Sequence, residues 1–185
     1  MVEAHVLVGG IPAIFWGSPR PRRLLAVHGF GGSKGDRTIR LLARRASPLG
    51  WQVVSCDLPG HGSRSHALCP YEPKQCVEDL RQIFAGIHQG QTALFAQGTG
   101  AQWALLALQN APLSQALLLS PTVGPGLPLT GWSVPTAILA PAGACCSPFG
   151  RAEDFAEKYH CSFTPAPRPD CLEPWLDRVL ALPPA

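Results

Sequence analysis

Five short apolar runs, nearly bare of charge and each followed by a turn-rich loop, constrain this chain more than any other feature. They are RLLAV at 23–27, WQVVSC at 51–56, TALFA at 92–96, ALLL at 116–119 and TAILA at 136–140. Strands buried on both faces read as continuous apolar runs, whereas half-exposed strands alternate. Helical spacing fills the intervals. Residues 36–46 offer Ile39, Leu41, Leu42 and Ala46 to a buried side, and 73–88 offer Val77, Leu80, Phe84 and Ile87. Further helices are expected at GAQWALLALQN, near 151–159 and at EPWLDRVLAL, with a short strand at CSFT. Strands alternating with helices predict an α/β fold whose central sheet is mostly parallel and covered on both faces. The opening VEAHVLVGGIPAIFWG differs: Gly9 and Gly10 between two β-prone runs predict an antiparallel hairpin at the sheet edge.

A chain of 185 residues, 46% hydrophobic and 15% charged, suits a single domain over 1–185 that buries a core without disulfides. No apolar stretch approaches the roughly 20 residues of a membrane span, and no signal-peptide pattern opens the chain, so the expected location is the cytoplasm, away from membranes. Seven cysteines, irregularly spaced and without a C-x-x-C pair, read as reduced thiols with no structural zinc site. The basic residues from Arg20 to Arg45 lack interleaved aromatics. They read as a solvated face rather than a nucleic-acid footprint. No motif calls for a cofactor.

Three segments carry the chemistry. VHGFGG follows one strand, CDLPGHGSR follows the next, and FAQGTGAQWALL passes from strand to helix through a five-residue elbow. In this order and spacing they resemble the α/β-hydrolase superfamily, most closely its cap-poor bacterial members, over about residues 22–180. In that family's elbow the residues two before and two after the nucleophile are small, which Ala96 and Gly100 satisfy. Gly98 then occupies the nucleophile position. A register shifted by one makes Thr99 the nucleophile but puts Gln97 where a small side chain is needed. The resemblance implies an oxyanion hole from the backbone N–H groups of Thr99 and Phe30; a glycine-rich turn with no such duty is the alternative.

The resemblance also implies an acid after VPTAILA, where Ala144 stands. It implies a histidine between the last short strand and the final helix, where PAPRPDCLEP has none. Weak substitutes remain. Thr99, Ser120 or a cysteine such as Cys145 offers a nucleophile, and His28 or His160 an imidazole, though His160 precedes CSFT and belongs at the far end of that strand. His28 and His61 sit in loop motifs and suit loop geometry; His5, His66 and His88 have no informative context. Asp57, at a strand end, reads as a turn-bonding carboxylate. Trp103 and Trp175 read as core or interface aromatics.

Only about fifteen residues separate LLLSP from VPTAILA, so no large cap domain is expected and the cleft should lie open. The leading functional expectation is a hydrolase-like fold without the triad, binding a small-molecule ligand or protein partner at the former active-site cleft. The alternative is a weak esterase-like hydrolase with a relocated nucleophile such as Thr99 or a Cys. A third expectation places a protein-interaction patch on the Pro-rich loop around Trp132, against the simpler reading of an ordinary surface loop.

Overall fold

The computed structural model describes residues 3–65, 71–142, 148–166 and 171–181. Eight strands form one sheet: β1 (Glu3–Val8), β2 (Ile11–Trp16), β3 (Arg22–Val27), β4 (Trp51–Cys56), β5 (Thr92–Gln97), β6 (Leu113–Leu119), β7 (Thr136–Ala140) and β8 (Ser162–Pro165). Five α-helices accompany them: α1 (Arg37–Ala46), α2 (Pro73–Ile87), α3 (Thr99–Leu108), α4 (Ala152–Lys158) and α5 (Leu172–Ala181). The strand order is β1-β2-β4-β3-β5-β6-β7-β8. β1 and β2 pair antiparallel through the Gly9–Gly10 turn, both glycines having positive φ. β2 joins β4 antiparallel, and every pairing from β4 to β8 is parallel.

Alternation within the strands builds two cores. Leu25 and Val27 of β3 and Leu94 and Ala96 of β5 face Leu80, Ile83, Ala104, Leu105 and Phe155 on α2, α3 and α4. Leu24, Ala26, Ala93 and Phe95 face Ile39 and Leu42 of α1 and Trp175 and Leu176 of α5. Both sheet faces are therefore covered, the architecture that continuous apolar strands require.

The 121–135 segment departs from expectation. Trp132 is only 6% exposed, sits in the first core and donates from Nε1 to Thr136 Oγ1 at 2.8 Å. Val123 and Leu127 are buried beside it, so the expected apolar patch at Trp132 is absent from the surface. The loop is pinned by a Gly126 N–H donated to Phe149 O and by Lys158 Nζ donated to Pro125 O. Leu129 and Val134 of the same segment pack against that core. No α-helix occurs between β6 and β7, hence no cap. Among the described residues no helix is long and apolar enough to cross a membrane.

Candidate functional site

The sheet changes direction of growth at β3. The chain runs from β3 through α1 to β4 on one side, then through α2 to β5 on the other. Loops leaving the carboxyl ends of β3 and β5 must diverge there, and in open α/β sheets ligands lie in that crevice. The crevice is occupied by the Gly29–Phe30 turn and the Gly98–Thr99 elbow, which open onto a cleft of about 1090 Å³. Leu119 and Ser120 after β6, Leu139 and Pro141 at β7, and Pro165 and Leu172 complete its walls.

Gly98 has φ 53° and ψ −131°, a backbone conformation that strains any residue with a side chain. It is held from both sides. Its N–H donates to Leu119 O at 3.1 Å, and its carbonyl accepts from Thr122 N–H at 2.9 Å and Ala101 N–H at 3.2 Å. The small residues flanking it have a steric cause. A Cβ on Gly100 would stand 2.0 Å from His28 O, whereas one on Gly98 would meet only Gly29 Cα, at 3.5 Å. The position therefore has room for a side chain and carries none. Thr99 opens α3, and neither its amide N–H nor that of Phe30 donates to an acceptor among the described residues. Both residues border the cleft, as an oxyanion-type cradle requires.

The two loop histidines and Asp57 lie outside the cleft lining. His28 is fully buried; Leu58 N–H donates to its Nε2 at 3.1 Å and its Nδ1 lies 2.8 Å from Gly29 O. Accepting at Nε2 places the proton on Nδ1, so the ring is neutral with both nitrogens engaged. Burial lowers its pKa, outweighing the opposing hydrogen bond to Gly29. His61 contacts Pro59 O through Nδ1, and its ring lies tilted at 50° to that of His28, 5.2 Å between centroids. Asp57 accepts from Lys34 N–H at 2.7 Å, Ser63 N–H at 2.9 Å and Ser63 Oγ at 2.6 Å, and pairs with Lys34 Nζ. Burial pushes its carboxyl up, but these donors together hold it below the usual carboxylate range. Asp57 thus fastens the β3–α1 loop to the β4–α2 loop.

Of the proposed substitutes, Thr99 and Ser120 line the cleft and His28 and His160 do not. His160 follows α4 at φ 53°, ahead of β8 and so at the opposite end of the parallel strands from the cleft. Ser120, also at positive φ, donates its N–H to Leu139 O. Ala144 and Cys145 lie outside the described residues. Cys56 and Cys161 are free thiols, pushed up by burial to about 12 and about 11, far from thiolate. Among the described residues no ionisable side chain lines the cleft, and no His, Cys, Asp or Glu cluster could hold a metal ion.

Three features escape sequence reading. Lys34, 23 residues from Asp57, forms the loop clasp. Asp36 accepts from Gln97 Nε2 beside the elbow and from Ser33 N–H. Phe30, 77% exposed, meets His61 and Tyr71 edge-on at the cleft rim, and Trp103 Nε1 donates to Tyr71 Oη. Apart from Ser33–Asp36, three residues apart, these contacts join residues distant along the chain and carry no local spacing.

The family model described as "Alpha/beta hydrolase family" matches residues 24–185. No curated protein matches the chain significantly in sequence. Among solved structures, TT1662 from Thermus thermophilus superposes with a TM-score of 0.73 at 19% identity, covering 97% of this chain and 95% of that one. An α/β serine hydrolase homologue from Coxiella burnetii gives 0.73 at 18%, covering 97% of each. Est1E from Butyrivibrio proteoclasticus, solved with ferulic acid, gives 0.74 at 12%, covering 96% and 97%. Such distant likenesses establish the shared fold alone, and the family match, spanning most of the sequence, makes this chain a member of the α/β-hydrolase family.

Proposed function

We propose that this protein binds an apolar molecule carrying a carbonyl or carboxylate oxygen, in the cleft at the elbow, without hydrolysing it. One observation carries the reading: Gly98 keeps the backbone conformation of a nucleophile elbow, with space for a side chain, in a cleft lined by no ionisable group among the described residues. Covalent hydrolysis needs an activated nucleophile with a base in hydrogen-bond reach. Among the described residues, Thr99 and Ser120 have no imidazole beside them in the lining. An oxyanion cradle and binding alone supply at most a roughly 10³- to 10⁴-fold acceleration.

Backbone donors, by contrast, persist when side chains change. The Thr99 and Phe30 N–H groups and the positive end of α3 favour an oxygen with negative charge. Leu119, Leu139, Pro141 and Leu172 favour an apolar body. Ferulic acid in Est1E is an oxygen-bearing apolar molecule of that class. Calorimetric titration with ferulic acid and octanoic acid, paired with turnover of their activated esters, tests the reading. Saturable binding of at least one acid, weakened in Phe30→Ala, with ester turnover at the buffer rate is expected. Ester turnover well above buffer would overturn it in favour of a relocated nucleophile.

A further inference from the structure

The two edges of the sheet are treated differently. β8 is four residues long, ends on Pro165, and is joined by Arg178 of α5, which donates to Thr164 Oγ1 at 2.9 Å. Shortness, proline and an adjoining helix are ordinary means of blunting an edge strand. β1 has neither the shortness nor the proline, although α2 reaches its Val8 end, where Gln82 Nε2 donates to Gly9 O. It is six residues without proline, lysine or arginine, its register against β2 runs unbroken from Glu3–Trp16 to Val8–Ile11, and Glu3 to Leu7 are all exposed. Leu7 is 69% exposed and Val6 38%, two of the few large apolar side chains the surface shows.

The turn fixes which groups are free. Across a two-residue hairpin connection the flanking residues, here Val8 and Ile11, exchange hydrogen bonds. Alternation along the antiparallel ladder then directs the amides of Ala4, Val6 and Val8 to β2 and those of Glu3, His5 and Leu7 outward. Asp57 N–H donating to Pro12 O on the far side of β2 agrees with that phase. The outward amides have no partner among the described residues. They are spaced symmetrically about His5.

We propose that β1 is a self-association edge, pairing antiparallel with β1 of a second copy about a two-fold axis through His5. In that register His5 faces the second copy's His5, Glu3 faces its Leu7, and all three outward amides and carbonyls of each strand are satisfied. No other register of two identical strands satisfies all of them within the described residues. The pairing joins two sheets into one across the axis, an isologous contact that closes after two copies. It covers Leu7 with the aliphatic stem of the second copy's Glu3.

Sedimentation equilibrium across a concentration series tests it. The expected result is a monomer–dimer equilibrium in the micromolar range, weakened about tenfold or more by His5→Pro and by Leu7→Glu. His5→Pro removes one outward donor while leaving the β1–β2 ladder intact; Leu7→Glu, on an exposed position, sets like charges opposite each other. Adding Glu3→Lys to Leu7→Glu converts that repulsion to attraction and restores the dimer. A monomer at every concentration, a dimer indifferent to both single variants, or failure of the double variant to recover would each overturn the proposal.

Discussion

Gly98 combines a strained backbone conformation with open space where a side chain could stand. Its φ of 53° places any β-carbon in a strained region, and a glycine there relieves about 1–2 kcal/mol that a serine would store. Gly98→Ser should therefore lower unfolding free energy by about 1–2 kcal/mol and bring no esterase turnover, because the lining offers no imidazole among the described residues. Gly100→Ala should cost more, about 3 kcal/mol, since its β-carbon would stand 2.0 Å from the His28 carbonyl. Urea denaturation of the two variants beside the parent measures both. Equal losses, or turnover from Gly98→Ser, would contradict the account. The need for small residues at 96 and 100 was legible from the FAQGTG spacing because it follows from the tightness of the turn alone. That the space at 98 is open was not legible, since it depends on Gly29, brought in from the loop after β3.

The loops after β3 and β4 act as one element because Asp57 and Lys34 clasp them across the sheet edge. Two groups there set the response to acid. His28, with its pKa lowered in the fold, stays neutral while the unfolded chain takes up a proton, so stability falls as pH drops below the unfolded value of about 6.5. Asp57, with its pKa lowered in the fold, contributes fully above the unfolded value of about 3.9 and loses that contribution as pH falls further. Unfolding free energy measured from neutral to acid pH should therefore decline in two stages. Asp57→Asn should lower stability at neutral pH by about 3 kcal/mol, by leaving Lys34 without its carboxylate partner and only the Ser63 hydroxyl, and remove the second stage. A single stage, or an undiminished second stage in the variant, would contradict this assignment. Strands and helices were legible because apolar runs and 3.6-residue spacing are local signals; β4 and β7 fall where WQVVSC and TAILA stand. The clasp and the burial of Trp132 were not. A loop that packs into a core carries no period, and its prolines and glycines read as surface.

At the scale of the whole molecule the family was legible because three loop motifs occur in a fixed order along the chain, and order survives where individual residues have changed. The sheet, the switch point at β3 and the cleft above it follow from that order. The activity was not legible in the same way. In this fold the backbone supplies the cradle and side chains supply the reaction, so a chain can keep the first while Gly98, Ala144 and a loop without histidine stand at the expected places of the second. Among the described residues the cleft is mostly apolar, carries no ionisable side chain, is rimmed by Phe30, and has the Thr99 and Phe30 N–H groups without an acceptor. The proposed function requires that no residue of the protein be an activated nucleophile. Incubation with a broad fluorophosphonate probe, read by intact mass, together with turnover of activated esters by the parent and Thr99→Ala proteins, tests this most directly. The account predicts unmodified mass and turnover at the buffer rate for both proteins. A stoichiometric adduct on one hydroxyl or thiol, with turnover above buffer, would contradict it and name the nucleophile.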